Sequence, residues 1–182
     1  PLLDALVRVE DEFLRQNVPG EKGGMEMVDA ATQQGIIGKL AAPPVMVAGG
    51  SAGNTVFGLG KLGIEVAMLG KLGRDEYAQI YQRQFASVGG ELGEFIVDPV
   101  EPTGVCLSMI TPDAERTMRT NLGASVKLNE EDILKVDFGK YDLVYIEGYM
   151  FFSPVMPLIL QRAKAAGCKG GLDLASFEVV RI

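Results

Sequence analysis

A short β-type run leads into a glycine-rich turn at Val45-Met46-Val47-Ala48-Gly49-Gly50-Ser51-Ala52-Gly53-Asn54. Apolar positions then continue at helical spacing through residue 62, and a glycine at position 63 is placed to end a helix. Glycines in such a turn let the backbone approach a ligand closely and direct the amides of the helix N-terminus towards it. The stretch therefore predicts a strand–turn–helix unit that either binds a ligand or uses its glycines only to relieve backbone strain.

The same alternation of strand and helix continues along the chain. Short apolar runs at residues 64–69, 95–97, 141–146 and 169–174 are typical of buried strands, and amphipathic stretches separate most of them. This order predicts an α/β fold with a mostly parallel central sheet and helices on both faces. Parts of residues 12–38 and 93–120 do not follow the pattern, and they are predicted to form a small β-rich lid that includes a hairpin within 103–120.

Composition excludes several kinds of chemistry. The 182 residues contain no histidine, so a Ser-His-Asp or Cys-His nucleophile, an imidazole-ligated zinc and a histidine general base are all impossible. The net charge of −7 argues against binding to nucleic acid or to an anionic membrane surface. No apolar run reaches the length of a membrane span, and two cysteines far apart in sequence, Cys106 and Cys168, suit a reducing cytoplasm.

A dinucleotide-binding Rossmann protein is one alternative for the glycine-rich turn. The pattern Ala48-x-Gly50-x-x-Gly53 mimics the fingerprint of that fold. The fold also uses an acidic residue at the end of its second strand to bind a ribose. Here the second predicted strand ends in Met68-Leu69-Gly70, which contains no acidic residue. The dinucleotide-binding alternative is therefore the weaker one.

Taken together, the motifs resemble those of the ribokinase-like (PfkB) sugar and nucleoside kinases, with the adenosine-kinase branch most similar. The glycine-rich turn and Gly73-x-Asp75 resemble the first family signature, and Pro1-Leu2-Leu3-Asp4 resembles the end of the first family strand. Further motifs resemble the family in the right order along the chain: Thr103-Gly104-Val105-Cys106, Ala114-Glu115-Arg116-Thr117, Asn121-Leu122-Gly123-Ala124, Tyr145-Ile146-Glu147-Gly148-Tyr149 and Leu172-Asp173-Leu174-Ala175-Ser176.

The resemblance implies roles for individual residues. Asp4 matches the carboxylate that binds sugar hydroxyls, a role that suits an ionised carboxylate because it accepts two hydrogen bonds. Gly49, Gly50 and Asn54 match the sugar-binding turn. Glu147 matches an acid that contacts the sugar in some sugar kinases, although a strand-end acid pointing to water is the alternative.

Three further residues match positions that line the substrate pocket in the adenosine-kinase branch: Met25, Met27 and Cys106. Ordinary core packing is the alternative for each, and nothing in the sequence marks Cys106 as reactive. Met118 and Thr120 could reach the pocket from the same hairpin.

The implied activity is the ATP- and Mg²⁺-dependent phosphorylation of a primary hydroxyl on a sugar or nucleoside. These kinases carry a Gly-Ala-Gly-Asp segment, with the catalytic base Asp, in their C-terminal half, and the chain contains no Gly-x-Gly-Asp. Residues 1–182 are therefore predicted to be one incomplete kinase domain that holds the substrate-binding half and is inactive alone. A non-catalytic sugar- or nucleoside-binding domain stays open as an alternative, as does a homodimer formed through the lid.

Overall fold

Strands and helices alternate along the chain in the computed structural model, which describes residues 1–175 and 177–181; Ser176 of the last predicted motif lies outside the described residues. The strands are β1 (Leu2–Arg8), β2 (Met25–Met27), β3 (Val45–Gly49), β4 (Val66–Ala67), β5 (Gly70–Leu72), β6 (Gly90–Glu91), β7 (Phe95–Val97), β8 (Val105–Ile110), β9 (Arg116–Asn121), β10 (Leu143–Glu147) and β11 (Lys169–Asp173). The α-helices are α1 (Asp11–Asn17), α2 (Ala30–Ile37), α3 (Ser51–Lys61), α4 (Glu76–Ala86), α5 (Glu130–Leu134), α6 (Met156–Ala165) and α7 (Phe177–Val180).

The α/β class predicted from the sequence is confirmed. Five of the seven strand pairings among the described residues are parallel. The largest sheet has five strands in the order β2-β9-β8-β1-β3, and it is mixed because β1–β3 and β8–β9 pair antiparallel. The other strands form three parallel pairs, β4–β6, β5–β7 and β10–β11, rather than joining one continuous sheet.

One face of the five-stranded sheet carries the main hydrophobic core. Alternate residues of β1, β3 and β8 point to this face and are fully or almost fully buried, among them Leu3, Ala5, Ala48 and Leu107. Helix α4 packs there against β1 and β3, and α2 packs against β9. The opposite face of the five-stranded sheet carries Asp4 and Val47. It is less covered by helices and is the face available to a ligand.

The segments predicted as a lid are only partly β-structure. The hairpin is present as β8 and β9, joined by the turn at residues 111–115. Residues 12–38 instead contain most of α1, the three-residue strand β2 and helix α2. Asp29 caps the N-terminus of α2 by accepting a hydrogen bond from the Thr32 amide. β2 joins the sheet by pairing with β9, so both predicted lid segments belong to the five-stranded sheet.

Two buried cations hold loops against this framework. The guanidinium of Arg119, which is fully buried, donates to the carbonyl oxygens of Pro19 (2.8 Å) and Glu21 (2.8 Å) and fixes the loop before β2. Lys71 Nζ lies 2.7 Å from Asp132 Oδ2 and donates to the Lys127 carbonyl oxygen at 3.0 Å. These contacts anchor the segment after β9 to β5.

The family-like residues Gly73 and Asp75 have structural roles. Asp75 caps α4 through the Ala78 amide and also accepts hydrogen bonds from the amide and hydroxyl of Thr103. A Cβ atom at Gly73 would lie 2.5 Å from the Thr103 amide nitrogen, so only glycine fits there. This part of the motif joins α4 to the start of β8.

Among the described residues, none of the helices has the length and apolar character that a membrane span needs.

Candidate active site

Strand register places four of the predicted site residues in one row on the open face of the sheet. Asp4 on β1 pairs with Val47 on β3 and with Cys106 on β8. Cys106 pairs with Thr120 on β9, and Thr120 pairs with Met27 on β2. Because directly paired residues point to the same face, a single row runs across five strands in the order Met27, Thr120, Cys106, Asp4, Val47.

The next row along the strands extends this surface with softer side chains. Met25 pairs with Met118, Met118 with Ser108, and Ser108 with Leu6. Methionine side chains are flexible and polarisable and adapt to varied apolar ligands. The two rows therefore form a surface with a carboxylate towards one end and methionines at the other.

Asp4 lies directly against the glycine turn. A Cβ atom at Gly49 would lie 2.3 Å from Asp4 Oδ2, so the carboxylate occupies the space that any other residue's side chain would take. Gly50 follows with φ +91°, a backbone conformation that favours glycine, and it precedes the first residue of α3. Glycine is required at the two positions for different reasons. Gly49 leaves space for the Asp4 carboxylate, and Gly50 adopts the positive φ of the turn.

The Asp4 carboxylate is half-buried yet accepts no hydrogen bond from the described residues. Burial raises the pKa of this carboxyl, and the positive charge of Arg116 offsets part of the rise. A buried acceptor without a donor is costly unless a ligand or water supplies one. The arrangement suits a carboxylate that accepts hydrogen bonds from a bound hydroxyl compound.

Cys106 is a packing neighbour of this carboxylate and not an activated thiol. Burial raises the pKa of Cys106, and the hydroxyls of Thr120 and Ser108 offset part of the rise. The thiol therefore stays protonated at neutral pH and contributes a small apolar surface. Thr120 Oγ1 is buried on the neighbouring strand and has no hydrogen-bond partner among the described residues.

Glu147 ends β10 and is held by the N-terminus of α3. Ser51, the first residue of that helix, donates its hydroxyl to Glu147 Oε1 at 3.0 Å. Glu147 is thus held in place rather than free in water. Behind the effect of burial, Glu147 and Asp4 both contribute to raising the pKa of the Tyr81 hydroxyl, which lies 3.4 Å from the Gly49 carbonyl oxygen.

Asn54 and the β2 methionines lie at the margins of this site. The Asn54 side chain is exposed and makes no hydrogen bond to the described residues; it lines a groove of about 350 Å³ together with Val47, Phe57, Lys61 and Gln84. Met27 is separated from Asp4 by three inter-strand spacings, or ~14 Å. The structure therefore brings Asp4, Gly49, Gly50 and Cys106 close together, joins Glu147 to the turn through Ser51, and places Asn54, Met25 and Met27 at the margins.

Three residues that contact the site or the strand behind it cannot be identified from local sequence: Ser51, Tyr81 and Gln84. Ser51 belongs to the glycine-rich turn, but only the fold shows that it meets Glu147. In the sequence, Tyr81 appears as one of the apolar positions of an amphipathic helix. Gln84 carries no motif at all, although both residues contact the backbone of β3.

The described residues do not form a metal site, because no group of three or more Cys, Asp or Glu side chains could hold an ion. Asp4 and Glu147 are the two carboxylates near the turn, and Glu147 is already bound by Ser51. The donor set therefore does not fit a resident Mg²⁺, and no step is assigned to one within these residues.

Known proteins share this sequence pattern. The pattern of the pfkB family carbohydrate kinases matches residues 27–175. The uncharacterized sugar kinase YegV of Escherichia coli (strain K12) is 29% identical over 113 residues, which cover 62% of this chain and 35% of that relative. The chain thus spans about a third of the length of this relative.

Solved structures share the fold. Adenosine kinase from Sinorhizobium meliloti superposes with a TM-score of 0.79 at 28% identity over 99% of this chain and 56% of its own. A probable sugar kinase from Rhizobium etli CFN 42 gives a TM-score of 0.79 at 27% identity and covers 99% and 55% of the two chains. Adenosine kinase from Schistosoma mansoni in complex with adenosine gives 0.82 at 20% identity, which shows the fold alone. By its sequence pattern and its ribokinase-like α/β fold, which it shares with solved adenosine kinases and a probable sugar kinase, the chain belongs to the pfkB family of carbohydrate kinases.

Proposed function

We propose that the complete protein transfers the γ-phosphoryl group of ATP to a primary hydroxyl of a nucleoside, with Mg²⁺ as the required metal. The observation that carries this proposal is the half-buried Asp4 carboxylate, which lies against Gly49 and accepts no hydrogen bond from the described residues. A sugar hydroxyl is the donor that this carboxylate lacks. Family membership makes the dinucleotide-binding alternative unnecessary.

The length of the polar-to-apolar row favours a nucleoside over a simple sugar. A ribose hydrogen-bonded to Asp4 leaves Cys106, Thr120 and the methionines of β2 and β9 beside the attached base. A monosaccharide would leave the exposed side chains of Met25 and Met27 in contact with water. Soft apolar side chains at this end of the row suit an aromatic base.

A simple sugar is the second candidate acceptor, and Glu147 favours it. Its carboxylate is oriented by Ser51, two residues after the Gly49 that lies against Asp4, and on this alternative the two acids bind different hydroxyls of one sugar. A nucleoside has fewer free hydroxyls than a simple sugar and needs fewer contacts with these two carboxylates. The two candidates therefore differ in how much they depend on Glu147.

The chain spans little more than half of the length of the solved kinases to which it is similar, so phosphoryl transfer is proposed for the complete protein alone. We assign Asp4 to holding the acceptor, and we expect the base Asp and the ATP-binding segment downstream of residue 182. ATP would supply the phosphoryl group and Mg²⁺ would neutralise its charge. Residues 1–182 by themselves are expected to bind acceptor weakly and to catalyse nothing.

The test is an ADP-release assay on the complete protein over a panel of nucleosides and simple sugars. We expect turnover with a nucleoside, loss of at least 10²-fold in kcat/KM for Asp4→Ala, and a smaller loss for Glu147→Gln. An exposed acid far from the site, Glu130→Gln, provides the matched control. A sugar preferred over every nucleoside, with Glu147→Gln as damaging as Asp4→Ala, would support the second candidate. A folded protein with no turnover across the panel would favour the non-catalytic binding domain and overturn the proposal.

A further inference from the structure

Helix α4 supplies hydrogen bonds to the free edge of β3. β3 is the last strand of the five-stranded sheet, so no strand of the described residues pairs with its outer edge. The side chain of Gln84 occupies that position. Its Oε1 accepts from the Ala48 amide at 2.6 Å, and its Nε2 donates to the Met46 carbonyl oxygen at 2.9 Å. One glutamine therefore satisfies both a donor and an acceptor of the edge, as a pairing strand would.

Tyr81, one helical turn before Gln84 on α4, contacts the end of the same strand. Its ring is fully buried, and its hydroxyl lies 3.4 Å from the Gly49 carbonyl oxygen and 3.2 Å from Met68 Sδ. A Cβ atom at Gly53, in the first turn of α3, would lie 3.1 Å from the same hydroxyl. The phenol thus lies in contact with both the last residue of β3 and the start of α3.

These contacts lie directly behind the surface that binds the acceptor. Val47 pairs with Asp4, and the absent side chain of Gly49 leaves the space that the carboxylate occupies. A shift of β3 by a fraction of an ångström would change this space, because a closed interior does not deform without cost. Neither α4 residue points into the acceptor surface itself.

We propose that Tyr81 and Gln84 are positioning residues for acceptor binding. They hold the backbone of Met46–Gly49 in the register that keeps the Asp4 carboxylate against the glycine turn. The inference rests on the proposed function, since it assigns these residues to the same acceptor site. It predicts that loosening the edge of β3 weakens acceptor binding more than it weakens ATP binding or the chemical step.

The experiment uses the complete protein with Gln84→Met, Gln84→Glu and Tyr81→Phe. Methionine keeps the length of Gln84 and removes both hydrogen bonds, whereas glutamate keeps the acceptor for the Ala48 amide and loses the donor to Met46. Gln82→Met, the same change on the same helix, is the matched control. Adenosine and D-ribose serve as the acceptors, and the readouts are KM for acceptor, KM for ATP, kcat, Tm and amide hydrogen exchange of the peptide that contains Ala48.

We expect Gln84→Met to raise the KM for acceptor about tenfold, with kcat and the KM for ATP within twofold of wild type. Gln84→Glu and Tyr81→Phe should give smaller increases, and Gln82→Met should give none. Exchange at the Ala48 amide should accelerate in Gln84→Met and stay unchanged in Gln82→Met.

Two results would overturn the inference, and they are distinguishable. If the wild type is active and Gln84→Met lowers Tm or accelerates exchange but leaves the KM for acceptor unchanged, the role of Gln84 is structural only and the proposed function stands. If the wild type neither binds nor phosphorylates any acceptor of the panel, the proposed function fails and this inference fails with it.

Discussion

Replacing Gly49 with alanine should damage acceptor binding while leaving the fold intact. The new Cβ atom would lie 2.3 Å from Asp4 Oδ2, about 1.1 Å inside the 3.4 Å of an ordinary contact. Since Gly49 is not among the glycines with positive φ, its backbone accepts alanine without strain, and the Asp4 carboxylate is the group that must move. A displacement of that size costs about 10²-fold in rate when it misplaces a binding group, which is ~2.7 kcal/mol of transition-state stabilisation.

The effect on stability should be small by comparison. The Asp4 side chain can rotate towards solvent, which relieves the burial of its charge. Replacing glycine with alanine at a compatible position stabilises a protein by about 0.4–1 kcal/mol through the unfolded chain. We therefore expect the free energy of unfolding of Gly49→Ala to lie within about 1 kcal/mol of wild type.

The assay compares kcat/KM for acceptor with urea unfolding on the complete protein. Gly58→Ala is the matched control, because a Cβ atom there meets nothing within 4 Å. Adding Gly49→Ala to Asp4→Ala should cause little further loss, since the group that it displaces is already gone. A Gly49→Ala protein with kcat/KM within threefold of wild type would refute the assignment of Asp4 to the acceptor site.

Three further predictions concern stability. Gly50→Ala should lower the free energy of unfolding by about 2 kcal/mol, because φ is +91° there; an unchanged urea midpoint would contradict this. Because burial raises the pKa of Asp4, the stability it contributes is fully present below its unfolded pKa of about 3.9 and is lost as pH rises through the higher folded value. The advantage of Asp4→Asn over wild type in free energy of unfolding should therefore grow as pH rises from about 4, and a difference independent of pH would count against a buried carboxylate. Lys71→Met should cost about 3–5 kcal/mol because it leaves Asp132 buried without its cation, and Lys71→Met with Asp132→Asn should recover much of the loss; equal destabilisation of both variants would show that the ion pair is not the cause.

Much of the local structure could be predicted from the sequence. The glycine turn, the helix after it and the hairpin of β8 and β9 are all present, because their signals are local: glycines at tight turns, apolar spacing and turn residues. The turn is shorter than expected, since α3 already begins at Ser51. The motif resemblance assigns Asp4 and Gly49 to the acceptor site, and the structure places the Asp4 carboxylate against Gly49. That assignment stays a prediction until an acceptor is measured.

The helices within residues 12–38 were missed for a physical reason. Their apolar faces are short and pack on a sheet whose other strands lie far away in sequence. The loop between them is held by the buried Arg119, about a hundred residues distant. No local pattern contains that contact, so the sequence predicts part of a β-rich lid for this segment.

By itself, the sequence determined the α/β class, the family-like motifs and the absence of histidine chemistry, since each depends on residue type and short-range spacing. Only the tertiary structure decided that Met27, Thr120, Cys106 and Asp4 share one row, because register is set by the pairing of strands distant in the chain. Only the tertiary structure placed Ser51 on Glu147, and Tyr81 and Gln84 behind β3. The physical reason is that a hydrogen bond between residues distant in sequence depends on how whole helices and strands pack. The sequence around either residue does not show which elements will pack together.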